Sequence, residues 1–378
     1  MKKILFKKIL SDCFIFFLIT LISTSIIIWV FQAVNYLDIM IEDGRSFIVY
    51  TNYTLLSLPK IVSKILPFAL FFSFFFVFNK YEINNELIIF WTLGINKIEF
   101  VKFFLKFSFI ILLIQILLTT IFVPMTQKFS RTLIKSSNID FFESFVKPKR
   151  FNDTINDLTI FAEDKNENGE LKNLYLKKSI NENEFQITYA KKGIFKNKSG
   201  TSVLMLYDGE TINGENNKII NLKFSESDFG LRDFATNTIT QFKIQETSTI
   251  DLFRCIINLS KERKKYLYEN CSTKNLDNIY VEIMKRLLMP LYIPILVMAS
   301  LLIITKPKED LNYIKFRIVT FVIGLLIIIL SEASLRFVQD ELFKNLKIII
   351  IPFIIFLISY YNYLNKFQLR FKSKKNIK

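Results

Sequence analysis

Six apolar runs, each close to the length of about 20 residues that a helix needs to cross a hydrocarbon core, constrain this chain more than any other feature. They lie near residues 14–34, 58–78, 101–123, 287–305, 316–335 and 347–364. Hydrophobic residues make up 51% of the 378, with 41 phenylalanines, more than a soluble domain carries, and the runs absorb the excess. Lys2, Lys3, Lys7 and Lys8 precede the first run, and no small-residue cleavage site follows it. It reads as an uncleaved anchor.

A net charge of +16 could indicate nucleic acid, so its location matters. The long polar segment 124–283 holds 24 Lys+Arg against 22 Asp+Glu, so the surplus lies around the apolar runs. The N-terminal tail, 80–106, 306–317 and 366–378 together carry 18 basic residues, against 8 on the opposite side. Basic residues hold short loops in the cytoplasm. Both termini are therefore expected inside and the long segment outside, and no nucleic-acid partner is expected.

Within that segment, six of the nine glycines fall between Phe141 and Gly230, separated by alternating runs such as "LTIFAE", "FQITYA" and "TSVLMLYDG". Alternation bounded by turn residues predicts strands. The expected organisation is spans one to three in 1–123, an outside segment at 124–283 with an all-β domain near 140–247 and a helical return, then spans four to six and a basic tail in 284–378. Cys255 and Cys271 fall outside the membrane, where a bridge can form, but their spacing does not require one, and two unrelated thiols is the default reading. Without histidine or clustered cysteines, no metal or other cofactor is expected.

The stretch "NKYEINNELIIFWTLGIN" at 79–96 lies in the cytoplasm on this topology. Ile83, Leu87, Phe90 and Trp91 recur at helical spacing, Glu82 and Glu86 share another face, and Gly94 follows where a helix can end left-handed. Such a helix either packs at the interface or docks its apolar anchors in a partner's groove, with a carboxylate setting the register. No G-x-x-x-x-G-K-[ST] loop is present, so if ATP drives this protein another chain must hydrolyse it.

The order of elements, with "LPKIVSKILPFAL", "NNELIIFWTLGIN", "VP" ending span three, "ITYAKKG" and "VEIMKRLLMPLYIP", resembles the LptF/LptG permease family over nearly the full chain. The run "PKRFNDTINDLTIFAEDKNENGELKNLYLKK" is more similar to LptF than to LptG. The resemblance implies the non-catalytic membrane subunit of a lipopolysaccharide exporter in the bacterial inner membrane. It implies a homologous LptG-like permease, a cytoplasmic LptB-like ATPase dimer and LptC/LptA-like periplasmic bridge proteins as partners. It also implies a periplasmic β-jellyroll and a coupling helix at 79–96, where Glu86 matches the acidic residue that contacts the ATPase and Gly94 the glycine that follows.

Charged side chains cluster at the outer membrane level. Lys60 and Lys64 begin span two; Glu332 and Arg336, also i and i+4, end span five. Either the lysines snorkel and Glu332 pairs with Arg336, or Lys60, Lys64 and Arg336 line a cavity mouth and hold headgroup phosphates. Family members carry lipid-contacting basic residues at the outer end of span one; here "FQAVNYLDIMIEDG" has only Asp38, Glu42 and Asp43. Glu282 and Arg286 form a further expected pair, followed by Pro290 and Pro294, which with Pro59 and Pro67 either shape the bundle or flex it. A mechanotransmitting permease with fewer spans, or a sensor or scaffold with a periplasmic β domain, are the alternatives. An intramembrane enzyme lacks any acid pair, activated nucleophile or metal set within the spans.

Overall fold

The computed structural model describes residues 2–37, 40, 46–136, 146–155, 158–166, 169–181, 184–198, 201–215, 218–230, 243–260, 271–272, 275–339 and 342–375. Two compact units emerge, one of residues 1–31, 56–128 and 243–378, the other of 32–55 and 129–242. Six described helices are long and apolar enough to cross a membrane.

In the first unit, α1 (Lys2–Asn35) is span one. In the chain there follow α2 (Phe47–Leu56) and α3 (Leu58–Ile83), which form span two, and a short α4 (Glu86–Thr92). Span three is α5 (Lys97–Leu117), a π-helical turn at Leu118–Phe122, and α6 (Val123–Ser136). Along α1, Phe6, Ile9, Cys13, Phe17 and Leu21 fall on one stripe and enter a core shared with Phe74, Phe78, Phe100, Phe104, Val297 and Leu301. Its rings meet edge to face, Phe78 against Phe104 at 4.9 Å and Phe74 against Phe104 at 5.7 Å. In lipid, where no hydrophobic force drives helices together, such packing is what holds them.

Span four lies at the centre, with 78% of its apolar window buried against 11–56% for the other five. It is two helices, α8 (Leu276–Leu291, preceded by α7, Thr249–Ser260) and α9 (Ile293–Leu301), broken at Tyr292 and closed by a 3-10 turn at Leu302–Thr305. Proline causes the break, because it lacks the N–H that would bond the carbonyl four residues back. Pro290 thereby frees the Arg286 carbonyl, and Pro67 in α3 frees that of Ser63. Span three supplies both replacements: Thr119 Oγ1 donates to the Arg286 carbonyl at 2.9 Å, and Gln115 Nε2 to the Ser63 carbonyl at 2.6 Å.

Spans five and six are α10 (Tyr313–Ser334), ending in a 3-10 turn at Leu335–Phe337, and α11 (Leu342–Lys375). At Gly324 a Cβ would fall within 1.9–2.5 Å of the Phe71 ring, so glycine is what lets α10 approach α3. Phe71 is fully buried and stacks on Phe321, with ring centroids 5.9 Å apart.

The second unit holds six antiparallel strands, β1 (Phe151–Ile155), β2 (Leu158–Lys165), β3 (Leu171–Asn181), β4 (Glu184–Lys198), β5 (Thr201–Glu215) and β6 (Lys218–Gly230). Each pairs with its successor, so the described sheet is an open meander with β1 and β6 at its edges. Alternate residues Leu158, Ile160 and Ala162 of β2, Leu174 and Leu176 of β3, and Leu204 and Leu206 of β5 bury one face together with Phe229. Gly209 sits where a Cβ would meet the Tyr189 carbonyl at 2.2 Å and Phe224, so β4, β5 and β6 converge there.

Two expectations change. Cys255 and Cys271 are joined in a disulfide, with Cα atoms 5.9 Å apart, because α7 packs on α8 and brings them together; they are not separate thiols. Nor does one helix run through 79–96. Asn85 takes a left-handed φ of +62°, which asparagine tolerates, and separates α3 from α4, so Ile83 leaves the stripe of Leu87 and Phe90 and stays exposed.

Gly324→Ala is expected to destabilise the protein by about 1–3 kcal/mol through overpacking, seen as a lower melting temperature in detergent, with Phe71→Leu in the same chain restoring part of it. Thr119→Val keeps the shape but removes the hydroxyl that donates to the Arg286 carbonyl, and should cost about 1–3 kcal/mol in the same assay.

Candidate functional site

Two places gather the residues that the sequence singles out. The first is α4. It ends with paired backbone bonds, Ile95 N–H to the Phe90 carbonyl at 3.0 Å and Gly94 N–H to the Trp91 carbonyl at 3.1 Å, and Gly94 has φ +73°. This is the left-handed helix stop that glycine favours. Leu87 is 0% and Phe90 3% exposed, both inside the core of spans one to three. Trp91 lies edge-on to Phe100 with Lys97 Nζ 5.1 Å from its ring, and Lys97 also donates to the Ile304 carbonyl at 2.6 Å.

Leu87 and Phe90 are thus buried within this chain. They fasten α4 to its own chain because the core beneath the helix is apolar, and a partner cannot reach them. What α4 turns outward is Ile88, Ile89 and Leu93. Half-buried Glu86 opens the helix, with Asn84 Nδ2 donating to its Oε1 at 3.2 Å. Glu82, one turn earlier, is turned inward: its Oε1 accepts the Lys308 backbone N–H at 3.2 Å, while Lys308 Nζ donates to the Ile83 carbonyl at 3.0 Å. The loop between spans four and five is thus stitched to the end of span two. Lys2 Nζ adds a bond to the Gly94 carbonyl at 3.4 Å.

The second place is a cavity of about 90 Å³ among spans two to five, with a largely apolar wall that includes Phe68, Met289 and Leu296, lined also by Lys60, Lys64, Glu282, Lys285, Arg286 and Glu332 beside Gln115. Half-buried Lys60 stands among Lys64, Lys285, Lys243 and Glu282. Four cations against two carboxylates leave the cavity positive, with room for ordered water or a small anionic group. The buried Gln115 Oε1 has no hydrogen-bond partner among the described residues.

Arg286 does more than pair with Glu282. Its side chain is 3% exposed; Nε donates to Glu282 Oε1 at 3.0 Å, Nη1 to the Thr247 carbonyl at 3.0 Å and to Thr249 Oγ1 at 2.8 Å, and Nη2 to the Gln245 carbonyl at 3.0 Å. Thr249 Oγ1 in turn donates to the Thr120 carbonyl, in the π turn, at 2.6 Å. A planar fork with five N–H groups suits this division. Sequence spacing reveals Glu282, four residues away; nothing in it marks Gln245–Thr249, some forty residues back.

Arg336 does not join the cavity, and no ion pair links it to Glu332 among the described residues. α10 stops at Ser334, and the tighter 3-10 turn carries Arg336 off the face that Glu332 occupies. Asp38, Glu42 and Asp43 lie outside the described residues. Among the described residues no group of three or more metal-ligating side chains occurs.

A family model described as "Lipopolysaccharide export system permease LptF/LptG" matches residues 7–366. An uncharacterised protein of Rickettsia prowazekii (strain Madrid E), RP871, is 22% identical over 148 residues, 39% of this chain and 41% of that protein. The chain thus spans about two fifths of the length of that curated relative. The family match takes in all six long helices, the strands between them and α4. The chain belongs to the LptF/LptG family of lipopolysaccharide export permeases.

Proposed function

We propose that this chain is a non-catalytic permease subunit of an ATP-driven exporter in the bacterial inner membrane. In this reading it occupies the LptF-like place beside an LptG-like permease. Both termini and α4 face the cytoplasm, and the strands face the periplasm. Lipopolysaccharide enters from the outer leaflet, and closure of an LptB-like ATPase dimer drives it toward the β domain. Six long helices, rather than the fewer of a mechanotransmitting permease, favour this reading. The disulfide supports an oxidising location for the segment that carries it.

The observation that carries the proposal is how α4 is mounted. Leu87, Phe90, Trp91 and Ile95 root it among spans one to three, and Lys97 links it to the end of span four. A push on its outward face, Glu86 with Ile88 and Ile89, is therefore transmitted to the spans rather than absorbed by the loop. Lys60 and Lys64, with Lys285, are the groups that would hold lipid phosphates; Arg336 would reach them only from outside the cavity. On the β domain, β6 is an edge strand among the described residues and exposes Ile219, Ile220 and Leu222. Such an edge suits strand addition to the LptC/LptA-like bridge, and two packed sheets would complete a jellyroll.

Glu86→Ala removes a charged acceptor, and about tenfold or greater weakening of ATPase copurification is expected from such a loss; unchanged copurification with normal coupling would leave Glu86 a solvated side chain. A photo-crosslinker placed at Lys64 is expected to capture lipopolysaccharide during transport, and consistent failure to capture lipid would count against the phosphate role.

A further inference from the structure

The helical return after the strands holds chemistry that transport itself does not use. α7 has 12 residues, a length at which an isolated helix is marginal in water. It offers α8 a small apolar face, Leu252 and Ile256 against Ile279, Tyr280 and Ile283, and the Cys255–Cys271 disulfide lies within that cluster. Yet the turn that leads into α7, with the first residue of α7, has a demanding task. Gln245, Thr247 and Thr249 each supply an acceptor to the Arg286 guanidinium, and Thr249 reaches the π turn of span three. Were α7 to lift, a buried cation would lose the acceptors that this segment supplies.

We propose that Cys255 and Cys271 are a modification site: this chain is a substrate of an extracytoplasmic thiol–disulfide oxidant, and oxidation is what locks α7 on α8 and keeps the Arg286 clasp shut. The inference rests on the outward placement of this segment in the proposed function. One cysteine thiolate attacks a sulfur of the oxidant's disulfide, forming a mixed disulfide and releasing the oxidant's second thiolate. The other cysteine thiolate then attacks this chain's sulfur in the mixed disulfide, closing the 255–271 bond and expelling the oxidant's remaining thiolate. Two electrons pass to the oxidant, and the two protons lost by this chain's thiols are balanced by those its thiolates take up. The cysteines are 16 residues apart, and closing a loop of that size disfavours opening on the order of 100-fold.

The test uses the full-length protein in its own membrane. Cells are quenched in acid, and the denatured protein is alkylated with a mass-tagged maleimide. Of the three cysteines, Cys13 is a buried free thiol, so oxidised protein takes one tag and reduced protein three. One tag is expected in normal cells and three in cells lacking the periplasmic oxidant; three tags in normal cells, or one tag without the oxidant, would overturn the assignment. Hydrogen exchange of residues 250–260 in nanodiscs is then compared before and after reduction, and in a Cys255→Ser, Cys271→Ser variant. Exchange faster by on the order of 100-fold is expected in both reduced forms. Unchanged exchange after verified reduction of the folded wild type would overturn the lock, whether or not the variant folds. Three tags alongside normal ATPase copurification defeat this inference alone; one tag with accelerated exchange but no copurifying ATPase defeats the transport reading alone.

Discussion

A backbone carbonyl in hydrocarbon must find a donor inside the protein, because no water is available to replace one. Much of this bundle follows from that demand. Pro67 in span two and Pro290 in span four each release a carbonyl, and neighbouring residues of span three, Gln115 and Thr119, donate to these two. The π turn beside them presents the Thr120 carbonyl to Thr249 in the same way. Span three is thus the element on which the irregular parts of its neighbours depend, and polar residues in an otherwise apolar helix are explained by the bonds they complete.

The end of the bundle that carries α4 is organised on a different principle. There water can satisfy the backbone, and position is fixed instead by burying large side chains under a short helix. Leu87 and Phe90 vanish into the core, Trp91 is clamped between Phe100 and Lys97, and Gly94 ends the helix within one turn. On the proposed reading, an outward apolar face on so firm a base lets α4 receive a force, and the two features come from opposite sides of the same two turns.

The six spans were legible because their apolar length leaves few alternatives, and the strands because alternation and glycine clusters mark them. Gly94 was legible from its place after the last periodic residue. Which face of α4 points outward was not, because the periodicity of Leu87, Phe90 and Trp91 reports a buried stripe without saying whose core buries it. Local charge spacing proved uneven: Glu282 and Arg286 share a helix and bond, whereas Glu332 and Arg336 straddle a helix end and do not. The acceptors at 245–249 and the disulfide depend on how α7 folds back on α8, a tertiary fact that spacing cannot carry.

The interruption of span four at Tyr292 has a mechanical corollary. Pro294 cannot bond the Pro290 carbonyl and Pro290 cannot bond that of Arg286, so a change of tilt there ruptures few main-chain bonds that proline has not already removed. One portion, α9, is embedded in aromatic packing, while the other, α8, is tied to α7. Span four can therefore work as a jointed post, its foot fixed and its head steered by whatever α7 is attached to.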